Sequence, residues 1–236
     1  MSIWALRIAE MATDTYQPTE RRPIASRERP IWQKAASLLA NAGFSANAIS
    51  VFGMVVGMAA GAALAATSFT TNTEAERALW LAGAAGIQLR LLANMLDGMV
   101  AIARHEASPL GELFNELPDR VSDIAIIIGA GYATGGSPLL GYLATCVAVL
   151  TAYVRAVGKA AGASNLFLGP MAKPHRMFTL TVVSVAMGLL PATCRVYWGQ
   201  QRAGWAALGL SVIIVGGAIT ILRRLGRIVR HLKGAQ

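Results

Sequence analysis

Charge is scarce in this chain. Of its 236 residues 14% are charged, against about 25% in soluble domains. That density cannot cover a water-facing surface, and with 55% of residues hydrophobic the chain reads as a membrane protein. Cysteine is nearly absent: Cys146 and Cys194 stand far apart in apolar stretches, which excludes a disulfide scaffold and a C-x-x-C centre and predicts two small buried side chains. There are three histidines, with only His105 near the acidic residues. H-E-x-x-H, G-x4-G-K-[ST] and G-x-S-x-G are all missing, so zincin, P-loop and hydrolase chemistries drop out. The net charge is +9, yet no basic stripe interleaved with aromatics suggests a nucleic-acid surface.

The basic residues gather at the ends instead, as Arg7, Arg21, Arg22, Arg27, Arg29 and Lys34, then Arg223, Arg224, Arg227, Arg230 and Lys233. Clusters flanking apolar runs set membrane orientation and meet anionic headgroups. Between them the runs long enough to span a bilayer, about 20 residues each, fall near 47–68, 78–103, 110–133, 138–155, 176–195 and 202–223. The expected fold is all-α and polytopic, with six transmembrane helices. Residues 31–43 are expected to form an N-terminal amphipathic helix at the interface. The divisions are a cytoplasmic segment and interfacial helix at 1–43, a six-helix membrane domain at 44–225, and a basic tail at 226–236. Six spans put both termini on one side, and the basic excess makes that side cytoplasmic, in the cell (inner) membrane. The first twenty residues lack the apolar core of a cleavable signal peptide. Gly53, Gly57 and Gly61 form a seam that a helix can approach closely.

Ionisable groups within a membrane are costly and mark function by default. Here they concentrate between Arg90 and Asp123. Asn94 and Asp97 share a helix face, and Gly98 beside them lets a ligand near the backbone. On the next helix Glu112, Asn115, Glu116, Asp119 and Asp123 recur every three or four residues along one stripe. Two facing stripes of oxygen donors suit a hard divalent cation such as Mg²⁺. The alternative is an ion-pair network, with Arg120 reaching Glu116 or Asp123 and Arg90 as a counter-ion. Pro118 removes an N–H bond to the carbonyl of Phe114 and predicts a bend before Asp119.

These spacings resemble the signature of the CDP-alcohol phosphatidyltransferases, D-x2-D-G-x2-A-R-x8-G-x3-D-x3-D. Asp97, Gly98, Ala101, Gly111 and Asp119 match it, while Asn94, Asn115 and Ile102 replace two Asp and the Arg. Ser45-Ala-Asn47-Ala-Ile-Ser50 is similar to the family's P-N-x-[IL]-T, Tyr153-Val-Arg155-Ala to its Y-x-R-A, and Lys173-Pro-His-Arg176 to its basic pair. The resemblance implies transfer of a phosphatidyl group from CDP-diacylglycerol to an acceptor alcohol, releasing CMP. It implies Mg²⁺ or Mn²⁺, one or two ions, held among Asn94, Asp97, Asn115, Glu116, Asp119 and Asp123, with Asp97 a principal ligand and Asp119 the general base. Asn47, Gly98, Ala101 and Gly111 would line the nucleotide. Arg155, Lys173 and Arg176 would bind the acceptor, a phosphorylated polyol. A homodimer is the implied assembly. The two Asn leave open a catalytically lapsed member that binds CDP-lipid or acts in membrane assembly. A transporter is disfavoured because no internal repeat is visible.

Overall fold

The computed structural model describes residues 29–104, 109–163, 169–199 and 203–234, apart from the side chains of 109, 110, 112–115 and 192. Seven α-helices make up the described residues: α1 Pro30–Asn41, α2 Ala46–Ala66, α3 Thr73–Ala103, α4 Pro109–Tyr132, α5 Pro138–Ala160, α6 Lys173–Leu189 and α7 Trp205–Gly234. No β-strand occurs among them, and they make one isolated antiparallel bridge, Trp198 with Ala203. Local chemistry sets the ends. Pro opens α1 and α5, Ser45 caps α2 by accepting from the Ala48 N–H, and Asn72 caps α3 by accepting from Glu74 and Ala75. Gly43 and Gly135, at φ +86° and +69°, make the left-handed turns that release α1 into α2 and α4 into α5.

Among the described residues four helices are long and apolar enough to cross a membrane: α2 with its 3₁₀ extension to Phe69, then α3, α5 and α7. Helix α4 carries Glu116, Asp119, Arg120 and Asp123, and α6 has 17 residues, so length and polarity hold these two apart from the four. The long α7 runs through the segment expected as a basic tail. Helix α1 lays Ala36, Leu39 and Ala40 against Ile49 of α2 and Ala93, Leu96, Met99 and Val100 of α3.

Helix α2 is the hub, packing on both α3 and α4, whereas α3 and α4 scarcely touch. Glycine makes this crossing feasible. A Cβ on Gly53 would stand 3.0 Å from Ala93 Cβ, one on Gly57 2.5 Å from Ser122 Cβ, and one on Gly61 2.3 Å from the Ala125 carbonyl oxygen. The seam is therefore consumed within the chain and offers no face for a second copy. Helices α5 and α7 pair on the far side of α4, and α6 closes against α3 and α7. Leu64, Trp80, Ile87, Ile126, Ile127, Met177, Leu180, Leu210 and Ile213 fill the centre. Cys146 and Cys194, expected inside, are exposed; Cys146 lies on the outward side of α5 and Cys194 in the 3₁₀ turn that follows α6.

Candidate active site

The polar centre is built where α2, α3, α4 and α6 converge. Ser50 and Gly53 of α2, Arg90, Asn94 and Asp97 of α3, and Pro118, Asp119 and Ser122 of α4 line one cavity of about 10 Å³, roughly the space of one water. Asp97 and Asp119, the two motif carboxylates, thus face a common space. Asp97 is 2% exposed, and its Oδ2 accepts from Ser50 Oγ at 2.7 Å. A buried carboxylate needs such a donor, because leaving it unpaired in a low dielectric is costly.

Arg90 organises the other side. Its Nε donates to Ser122 Oγ at 2.7 Å, and its Nη2 to the Asp119 carbonyl at 2.9 Å and to Asp119 Oδ1 at 2.7 Å. Nη2 also pairs with Asp123 Oδ1 at 3.0 Å. Lys173, the first residue of α6, donates from Nζ to Asn94 Oδ1 at 2.9 Å and to Asp119 Oδ2. Both oxygens of Asp119 therefore meet cations from other helices.

The remaining candidates divide. Asp123 is buried behind Asp119, with Arg176 Nη2 at 3.5 Å and Arg120 Nη1 at 3.8 Å from its Oδ2. Arg176 is itself 2% exposed and donates from Nη1 to the Met171 carbonyl at 3.1 Å, so it is turned inward onto Asp123. Glu116 pairs with Arg120 and Arg155, each at 3.1 Å, at the edge of the site. Gly98 and Ala101 continue the Asp97 face of α3, Gly111 lies in the first turn of α4, and Asn47 is exposed at the start of α2. The side chains of Glu112 and Asn115, and all of His105, lie outside the described residues. Ile102, in place of the motif Arg, is 51% exposed, and Arg104 donates to the Phe44 carbonyl at 3.3 Å, away from the cavity.

The alternative reading made Arg90 a counter-ion, and the structure gives it that place, with its partners Asp119 and Asp123 on α4. Ser50 was visible only as part of a motif. The available signal for both was the cost of a buried charge, which demands a partner without saying from which helix.

The oxygens of Asn94, Asp97 and Asp119 are the donors a hard divalent cation takes, and the cavity they share fits one such ion. Among the described residues no three His, Cys, Asp or Glu side chains are close enough to hold a metal by themselves.

The fold and this polar centre together define an all-helical membrane protein with a carboxylate site between its spans. No family model matches the chain. It is 29% identical over 207 residues to the phosphatidylinositol phosphate synthase of Mycobacteroides abscessus, spanning 85% of this chain and 84% of that one. It is 25% identical over 103 residues to the inner membrane protein YnbA of Escherichia coli, spanning 44% of this chain and 51% of that protein. In three dimensions it resembles the phosphatidylinositol phosphate synthase of Mycobacterium tuberculosis with CDP-DAG bound: TM-score 0.66, 20% identity, 85% of this chain and 94% of that one. The same enzyme in complex with manganese and citrate gives 0.65 and 20%, over 84% and 88% of the two chains. The structural likeness establishes the fold, and the sequence is similar to that of the synthase over most of both chains.

Proposed function

We propose that the protein is a CDP-alcohol phosphatidyltransferase that moves a phosphatidyl group from CDP-diacylglycerol to the hydroxyl of an acceptor alcohol and releases CMP. The observation that carries this reading is the convergence of Asp97 and Asp119 on one cavity, within a fold shared with a CDP-DAG-bound synthase. Asp97, Asp119 and Asn94 would hold a divalent ion, Mg²⁺ or Mn²⁺, with Asn115, Glu116 and Asp123 as further candidates. When bound, the ion neutralises charge that builds on the diphosphate as its bridging P–O bond breaks. Asp119 takes the proton of the acceptor hydroxyl, whose oxygen forms the new bond to phosphorus. Ser50 fixes the Asp97 carboxylate, and Arg90 fixes Asp119. Asn47, Gly98, Ala101 and Gly111 flank the nucleotide. A phosphorylated polyol is the acceptor this charge favours, met by Arg155 and by the Lys173 ammonium, which has three donors; Arg176 acts on the same side, through Asp123. Helices α2 to α7 make six spans, with α1 on the cytoplasmic interface, both termini cytoplasmic in the inner membrane, and a homodimer as the assembly.

The test is CMP release from CDP-diacylglycerol by purified protein with Mg²⁺ and a panel of acceptors that includes inositol phosphate and glycerol 3-phosphate. Asp119→Asn should lower turnover by about 10²- to 10⁴-fold, the usual worth of a general base. Unchanged turnover in that variant removes Asp119 as base. CDP binding with no CMP from any acceptor would instead identify a lapsed member.

A further inference from the structure

We infer that the Lys173 ammonium is a built-in cation that stands in for one metal ion, so that this site takes up a single divalent ion. The inference rests on the transferase reading above and concerns how its site is charged. Lys173 Nζ bonds Asn94 Oδ1 at 2.9 Å and Asp119 Oδ2. These oxygens come from α3 and α4 and are two of the donors expected to hold metal. The lysine is not a surface residue bending inward: its side chain is 16% exposed and that of Asp119 15%, and it enters from the first turn of α6, where Ala172 and Arg176 are buried.

Charge arithmetic points the same way. Four carboxylates, Asp97, Asp119, Asp123 and Glu116, stand with five fixed cations, Arg90, Lys173, Arg176, Arg120 and Arg155. The cluster sums to +1 before any metal enters. One divalent ion raises it to +3, of which the two ionised oxygens of a nucleotide-lipid diphosphate offset two. A second ion would leave about three uncompensated charges in a low-dielectric site, which is costly. Asn94 fits this account: an aspartate there would add a negative charge, whereas the neutral amide oxygen simply accepts from the ammonium. Space agrees with charge, since the shared cavity of about 10 Å³ holds one water-sized occupant.

Manganese counting tests this. Full-length protein in detergent is titrated with MnCl₂, and free Mn²⁺ is read by electron paramagnetic resonance. One ion per chain is expected for the unaltered protein and for Asn94→Asp, in which Lys173 still fills the position. Two are expected for Asn94→Asp combined with Lys173→Met, which removes the ammonium and supplies a carboxylate. Two ions in the unaltered protein, or in Asn94→Asp alone, overturn the inference while leaving the transferase reading intact; neither measurement needs Lys173 replaced. Any count other than two in a folded double variant also overturns it. No bound Mn²⁺ in the unaltered protein, with CMP release insensitive to chelation, overturns the metal-dependent reading itself.

Discussion

Arg90 offers the sharpest test of how the site is held. Its side chain is 1% exposed and makes three hydrogen bonds, to Ser122 Oγ, the Asp119 carbonyl and Asp119 Oδ1, and an ion pair with Asp123 Oδ1 at 3.0 Å. Arg90→Met keeps the volume and removes every one of these bonds. Breaking a buried pair by deleting one partner costs about 3–5 kcal/mol. Here the lower figure applies, because Lys173 remains on Asp119, and Arg176 and Arg120 remain near Asp123. At about 2–4 °C per kcal/mol for a chain of this size, the midpoint of thermal unfolding should fall by about 6–12 °C. Tryptophan fluorescence of detergent-purified protein reads it, since Trp80 is buried at 1%. Arg90→Lys should recover little, as an ammonium cannot span acceptors that a planar fork reaches together. Arg223→Met, on the exposed side of α7, is the control and should move the midpoint by less than about 2 °C. If Arg90→Met falls no further than that control, the bonds drawn from Arg90 do not hold α3 to α4, and the account of Asp119's placement fails.

Other expectations follow the same geometry. Ser50→Ala deletes the 2.7 Å bond to Asp97, worth about 1.5–3 kcal/mol for a charged acceptor, and should lower the unfolding midpoint by about 3–12 °C and CMP release roughly 10- to 100-fold. Gly61→Ala sets a methyl group 2.3 Å from the Ala125 carbonyl oxygen and should sharply reduce the yield of folded protein on size exclusion, whereas Gly226→Ala, with nothing within 4 Å, should match the unaltered protein or gain up to about 1 kcal/mol. Arg195→Ala breaks the 2.7 Å pair with Glu76, which lies about 30 Å along α3 from Asp97 at 1.5 Å per residue; stability should drop while CMP release per folded molecule stays constant. Chelation should abolish CMP release, and Mn²⁺ or Mg²⁺ should restore it.

The most apolar helices were legible because a bilayer writes them as charge-poor runs: the run near 47–68 became α2, Ala46–Ala66, and the run that starts at 138 became α5, Pro138–Ala160. The Asn94–Asp97 pair and the Glu116–Asp119–Asp123 stripe were legible because helical spacing is local. Pairing across helices was not. Arg90 has candidate partners on several helices, and its choice of Asp119 and Asp123 follows from α2 fitting its glycines between α3 and α4, a packing fact no local pattern encodes. Glu116 and Asp123 lie on the predicted stripe, yet Arg155 and Arg176, from α5 and α6, claim them. Ser50 gave no signal of its own, since a hydroxyl early in an apolar helix ordinarily bonds back to its own backbone, as Ser50 also does to the Ala46 carbonyl at 3.2 Å.

Because Asp119 is flanked by Arg90 from before it in the chain and Lys173 from well after it, the centre is complete only late in synthesis. A nascent chain that has made α2 through α5 holds a carboxylate with half its eventual counter-charge. Emergence of the α6 amino terminus supplies the missing ammonium. Truncation between residues 160 and 173 therefore keeps both helices that bear a motif aspartate, yet leaves no finished centre.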